Sequence, residues 1–393
     1  MGYRWVVLCI GALAQGTNAA VFLGLSAVSP QLRDHFGLTL PQVGLLLGAV
    51  NLGTMVALVP WGFFADRRGE RLAMAIGGFG AAACLLGVAL GNAWIAGLAL
   101  LGAGLFGASV NAASGRAVMS WFRSGRRGLA MGVRQTATPL GAALTAAFLP
   151  GIAIVHGIPV AFVVLASVTA FVALAVALLV REPPGATRGS SEHGLVLKDP
   201  RLIRLTVASG LLVVPQFTAA TLLVPFLHEH RGLTVTTAAV VFGIAQALGG
   251  AGRLAAGIWS DRVGSRVGPL RILAVVMAAG FALTAALDQA PLPVLVAVLV
   301  PTSVVALAWN GLAVTEAGEL APEGRSATAI SMQNTSNYLS AAITPGLAGW
   351  VAVHVAWPAA MVLAGVASVA GWVLLQPWRS RRASSPQNSR SVS

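Results

Sequence analysis

Three arginines stand where arginine is costly. Arg116, Arg134 and Arg253 fall inside long apolar runs of a 393-residue chain of which 9% is charged. An arginine in hydrocarbon costs roughly 2.5 kcal/mol or more on insertion scales, so each needs a partner. Guanidinium suits one task above others: its rigid fork grips both oxygens of a carboxylate. Arg253 lies eight residues before Asp261, ~12 Å along a helix and so away from the membrane surface. Gln246 is seven residues earlier on the same face, with Gly249 and Gly250 leaving space between them. Arg253, Arg134 and Gln246 are therefore candidate ligand contacts. Arg116 serves either a ligand or an ion pair near the end of its run.

The acids sharpen the choice. All twelve Asp and Glu residues lie between apolar runs or at their ends. A cationic solute would meet no deep counter-charge, so an anionic or neutral one is favoured, and a coupling proton would have to ride on the solute or be replaced by a counter-substrate. Paired carboxylates, a His cluster or a nucleophile with its base are missing from the pattern, which argues against an enzyme. Cys9 and Cys84 read as small apolar side chains, and neither a metal nor another cofactor is expected.

Charge is instead concentrated in a knot, Gly62 to Arg71 (GFFADRRGER), which returns as Gly257 to Arg266 (GIWSDRVGSR). Gly, Asp, Arg, Gly and Arg recur at a constant offset of 195, the separation of Asp66 and Asp261. Pro30 and Gly37 match Pro225 and Gly232 at the same offset, and Arg127 and Gln135 match Arg325 and Gln333 at 198. Such a collinear series indicates duplication. The deep arginines are not duplicated: Arg253 maps to Leu58 and Arg134 to Met332. A repeated scaffold carrying unrepeated charges is what an asymmetric ligand demands.

The elements that must position these groups are membrane helices. The chain is 56% hydrophobic with a mean hydropathy of +0.81. Runs of about 20–28 residues cross ~30 Å of hydrocarbon at ~1.5 Å per residue. Twelve spans are read, near 4–29, 41–64, 72–91, 93–121, 128–149, 158–180, 202–227, 236–259, 270–288, 292–316, 326–350 and 355–378. Net charge +13 with pI near 11.6 would suit a nucleic-acid binder, but placement excludes it. Of 25 Lys and Arg, Arg33 and Arg231 alone fall in odd-numbered loops, three lie in spans, and 20 flank the even loops and termini. By the positive-inside rule both termini are cytoplasmic.

The expected organisation is an N-terminal six-helix bundle (1–180), a cytoplasmic linker (181–201), a C-terminal six-helix bundle (202–378) and a disordered cytoplasmic tail (379–393). Spans three, six, nine and twelve contain neither Asn nor His, so they face lipid while the other eight line a polar path. Asn18, Asn334 and Tyr338 are candidate liners of that path, although hydrogen bonding between helices is an equal alternative for each.

Twelve spans in two parallel repeats, with the doubled loop motif, resemble the major facilitator superfamily. The loop after span two fits the family signature Gly-x-x-x-Asp-Arg/Lys-x-Gly-x-Arg, and the loop after span eight is a weaker copy. The resemblance implies an all-α fold and a secondary active transporter of the cell membrane working by alternating access on a small molecule. That parallel-repeat arrangement is a worked case in transporter structure. It also implies that Asp66 meets the start of helix eleven, near Ser326, together with basic residues at the end of helix four. Asp66, Arg67, Arg71, Arg116, Asp261, Arg262 and Arg266 are the expected cytoplasmic latch, with Glu316 or Glu319 as acidic partners in the second half. The stretches GRAVMSWF (Gly115 to Phe122) and MQNTSNYLSAAITPG (Met332 to Gly346) look like bacterial cyanate-type and organic-anion porters. GRLAAG (Gly252 to Gly257) resembles the helix-eight arginine element of oxalate and monocarboxylate carriers. A small carboxylate carried by a monomer in the bilayer is the leading expectation; efflux of neutral, lipophilic compounds is the alternative.

Overall fold

The computed structural model describes residues 2–183 and 196–376. Most of the expected linker, and the whole of the expected tail, lie outside them. Ten helices among the described residues are long and apolar enough to cross a membrane. One of these, Ser124–Leu179, is 56 residues long and contains two spans, because it reverses at Gly157 (φ 86°, ψ 166°). That conformation suits glycine alone, and it joins the two helices without an intervening loop. Ser326–His354 is a further 29-residue helix, too rich in Asn, Ser and Thr to pass on hydropathy. Twelve passages result.

In chain order they are α1 (Arg4–Phe22), α2 (Leu40–Arg68), α3 (Glu70–Leu90), α4 (Ala93–Trp121), α5 (124–156) and α6 (158–179). The second series is α7 (Pro200–Pro225), α8 (Val235–Val263), α9 (Val267–Ala286), α10 (Leu292–Ala308, resuming as Asn310–Leu320), α11 (Ser326–His354) and α12 (Trp357–Leu374). Local sequence sets the starts. Thr39 and Gln42 form a capping box at α2, the Asn92 side chain accepts from Trp94 and Ile95 N–H at α4, and Thr234 accepts from Thr237 N–H at α8. Between α2 and α3 the chain turns on Gly69 at φ 91°. The first expected span, 4–29, differs in detail: α1 stops at Phe22, and a 3-10 turn (Gly24–Val28) leads to a short helix (Ser29–Phe36). Likewise α10 breaks at Trp309.

α2 packs on α4, α1 on α5, and α3 on α4 and α6; in the second series α7 packs on α11 and α12, α8 on α10, and α9 on α12. The two groups meet through α2 against α11 and α5 against α8. On the periphery, α3, α6, α9 and α12 expose apolar side chains such as Phe79, Phe171, Val275 and Val366, as lipid-facing helices should.

Glycines report how tightly the groups meet. Toward the cytoplasmic end, a Cβ on Gly62 would lie 2.9 Å from Thr328 Cα, and Gly128 and Gly257 leave no room for a side chain on either backbone. In the outer halves, a Cβ on Gly44 or Gly48 of α2, Gly243 of α8, or Gly346 or Gly349 of α11 would meet nothing within 4 Å. The same helices that touch backbone to backbone at the inner side are uncrowded at the outer side. This is an outward-facing arrangement.

Candidate functional site

The inner closure is built on two carboxylates, each seated on a helix of the opposite group. Asp66, at the end of α2, accepts from the main-chain N–H of Ala327 (3.0 Å) and Thr328 (2.9 Å) and from the Thr328 hydroxyl (2.6 Å). These N–H groups belong to the first turn of α11, where they lack partners within the helix and the dipole favours an anion. Arg116 of α4 reaches Asp66 (3.1 Å), Glu70 (3.0 Å) and the Gly324 carbonyl (3.0 Å). Asp66 and Glu70 are both fully buried.

The repeat is recognisable at α8. Asp261 accepts from Gly128 N–H (2.9 Å) and Leu129 N–H (2.8 Å) near the start of α5. Arg266 bonds Asp261 (2.6 Å), Glu319 (3.3 Å) and the Ser124 carbonyl of the first group. Burial alone would lower the Arg266 pKa, but hydrogen bonds and charge from Glu319 and Asp261 hold it above its ordinary value. Arg127 approaches Glu319 at 3.5 Å from the other side.

Three residues of the expected latch stand apart from it. Arg67 and Arg262 are exposed. Arg71 turns back to the Ala177 carbonyl at the end of α6, within its own group (2.7 Å). Adjacent motif positions on a helix end point to different sides, so the spacing that identifies the motif does not put all its cations at the interface. Glu70 and Thr328, which were not singled out, do lie there.

Above the closure runs a polar layer through α1, α4, α5, α8, α10 and α11. Arg134 is 1% exposed, and all five of its N–H groups have neutral acceptors. Nε donates to Ser114 Oγ (2.8 Å), Nη1 to Gln135 Oε1 (2.8 Å) and the Met131 sulfur (3.7 Å), and Nη2 to Gln15 Oε1 (3.1 Å) and the Asn111 carbonyl (2.8 Å). Gln15 donates to Asn111 Oδ1 (2.9 Å), and Asn111 Nδ2 donates to the Tyr338 hydroxyl (3.0 Å) of the opposite group. The Tyr338 ring meets Phe22 edge-on at 4.7 Å.

Arg253 is placed differently. Its Nη1 donates to the Gln135 carbonyl of α5 (2.6 Å) and its Nε to the Leu307 carbonyl beside the break in α10 (2.9 Å), while Nη2 has no protein acceptor among the described residues. Gln135 Nε2 donates to Asn310 Oδ1 across the same interface. Neither Arg134 nor Arg253 has a carboxylate partner among the described residues; the acids are spent at the inner end. Arg253 is thus a bridge between the groups as well as a cation with donors to spare.

Gln246 is half-buried and Asn334 buried, each without a side-chain hydrogen bond among the described residues. Asn18 departs from expectation. Its Oδ1 sits where a Cβ on Gly107 of α4 would be, and it lines a small cavity with Met74 and Gly78 of α3 and Thr169 of α6. It therefore faces the interior of the first group and not the cleft, because α1 turns Gln15 toward α5 and so rotates Asn18 toward α3. Gln333 and Asn337 of α11 are buried, and neither amide atom of either has a partner among the described residues. Gln15, Asn111, Gln135 and Asn310 were legible as polar residues in apolar helices; their joining into one network was not.

Comparison with known proteins follows the same lines. The family model described as Major Facilitator Superfamily matches residues 8–343. An uncharacterized MFS-type transporter of Mycobacterium tuberculosis is 36% identical over 375 residues, covering 93% of this chain and 83% of that protein. A probable sulfoacetate transporter of Cupriavidus necator is 27% identical, covering 64% of this chain and 63% of its own. A hexuronate transporter of Bacillus subtilis is 25% identical, covering 61% and 60%. Among solved structures, the Escherichia coli fucose:proton symporter superposes with TM-score 0.75 at 15% identity, covering 95% of this chain and 98% of its own. The human organic anion transporter MFSD10 gives 0.77 at 16%, covering 96% and 100%.

Proposed function

The chain belongs to the Major Facilitator Superfamily, and on that premise we propose that the solute it carries is a small organic anion, a carboxylate first of all. It is a multi-pass membrane protein and a secondary transporter, not an enzyme. One observation carries the choice of anion: Arg134 and Arg253 are buried in the middle of the bundle with no carboxylate against either among the described residues. Uncompensated positive charge in a low-dielectric interior draws an anion far more strongly than the same charge in water. Arg134 has every donor occupied and acts as a fixed source of potential. Arg253 keeps Nη2 for direct contact, with Gln246 on its face and with Asn334 and Tyr338 on α11 of the same group. The names of the sulfoacetate and hexuronate relatives agree with this reading, at low identity.

The two groups, 1–180 and 202–378, would be the bodies that rock, and the Asp66 and Asp261 contacts the latch that breaks when the inner side opens. A second reading, export of neutral lipophilic compounds, draws on the aliphatic outer parts of α5 and α8, where Leu144 and Leu248 are exposed. Proteoliposomes carrying Arg253→Gln discriminate. Loss of sulfoacetate or hexuronate flux with intact insertion supports the anion; wild-type flux of a neutral compound through the variant, with no anion flux in either protein, supports the alternative.

A further inference from the structure

Gln135 meets both buried arginines, its side chain accepting from Arg134 and its main-chain carbonyl from Arg253. In an uninterrupted α-helix that carbonyl would receive the N–H of the residue four positions on. Here that residue is Pro139, inside α5, which has no N–H to give. The donor that fills the vacancy comes from the opposite group: Arg253 Nη1 at 2.6 Å. Its Nε goes to Leu307, two residues before the break at Trp309. Arg253 is therefore tied at both ends to carbonyls beside irregular points of a helix. About a turn away on the inner side, α5 and α8 approach so closely that a Cβ on Gly132 would lie 2.9 Å from the Arg253 carbonyl.

We infer that Pro139 is a positioning residue of the transport cycle: by leaving the Gln135 carbonyl open it lets Arg253 clasp α8 to α5 and hold the inner side shut. The clasp differs in kind from the latch at Asp66 and Asp261, which uses carboxylates on helix N-termini at the inner ends of the helices. A carbonyl–guanidinium contact has no counter-charge and is easily given up to a better acceptor. Taken with the anion site proposed above, one guanidinium serves both closure and ligand. The inference about closure stands apart from the substrate class, and its test uses no ligand.

The experiment uses the full chain with Cys9→Ser and Cys84→Ala, spin-labelled at Arg126→Cys and Val263→Cys, two exposed positions at the inner ends of α5 and α8. Inter-label distances are measured by double electron–electron resonance in lipid nanodiscs without solute. Pro139→Ala restores an N–H that competes for the Gln135 carbonyl, so the long-distance population should rise about threefold over the parent. Arg253→Gln should raise it alike, and the double variant no further, because both changes remove the same bond between the groups, the Leu307 contact lying within one group. Pro345→Ala straightens α11, whose freed carbonyl Arg253 does not use, and should leave the distribution unchanged. An unaltered distribution in Pro139→Ala, an equal widening in Pro345→Ala, or additive widening in the double variant would overturn the inference.

Discussion

Asp66 accepts hydrogen bonds from both the main-chain N–H (2.9 Å) and the hydroxyl (2.6 Å) of Thr328, a residue 262 positions away in the other group of helices. The contact is fully buried and shares its carboxylate with Arg116. Breaking one member of a buried ion pair commonly costs about 3–5 kcal/mol, because the other charge is left without compensation. Asp66→Asn should therefore destabilise the outward-facing state and reduce initial uptake by about tenfold or more, with the same amount of protein in the membrane. Turnover at the wild-type level would remove Asp66 from the latch.

The repeat at α8 supplies a contrast between neighbours. Arg266 is buried among Asp261, Glu319 and the Ser124 carbonyl, whereas Arg262 and Arg67 are exposed. Exposed charges contribute about 0–1 kcal/mol at most. Transport should survive Arg262→Ala and Arg67→Ala within about twofold and fall severely in Arg266→Ala. Equal losses in all three would assign the motif's cations a role in insertion and not in closure.

Arg134→Leu removes the donor to Ser114 Oγ, Gln15 Oε1 and the Asn111 carbonyl at once. Unsatisfied buried acceptors cost about 1–3 kcal/mol each, partly recovered by entering water. The unfolding midpoint in detergent should drop by several degrees. Arg134→Lys should recover only part of it, since an ammonium has three donors where the guanidinium has five. A midpoint unchanged in both variants would mean that the network carries no stability.

Gly257 and Gly128 allow α8 and α5 to cross with no side chain between them. Gly257→Val interposes atoms where the Gly128 carbonyl lies, so the inner side cannot close as it does here. Cysteines at buried positions near the inner ends, Ala130→Cys on α5 and Ala256→Cys on α8, should become reactive to a polar maleimide in the variant and remain shielded in the parent. Shielding in both would show that the helices find another closed packing.

Much of this is legible in the sequence alone. The doubled knot indicates two similar halves, and the loop charges assign the termini to the cytoplasm by the positive-inside rule. The lack of Asn and His in spans three, six, nine and twelve placed those helices at the periphery. Periodicity could not tell how each helix is rotated about its axis, and site residues depend on that rotation. Asn18 and Gln15 lie three positions apart on one stripe, yet one faces α3 and the other α5. Arg71 belongs to the motif by spacing and to α6 by contact. Arg253 was recognisable as a deep cation, but its bond to Gln135 depends on a proline four residues further along a different helix. Such a relation has no signature in either stretch alone.

The reversal at Gly157 also bears on the surrounding lipid. Because 124–156 and 158–179 meet at one residue with no loop to take up slack, α6 follows α5 as an arm follows a shoulder. The inner end of α5 is held by Asp261, and the outward face of α6 is apolar, with Phe171 and Leu178 exposed. Tilting α5 to release that contact would sweep this apolar wall through the acyl chains. Hydrocarbon thickness, whose mismatch costs fractions of a kcal/mol per ångström, would thereby enter the conformational balance, and the speed of the cycle would depend on the membrane as well as on the chain.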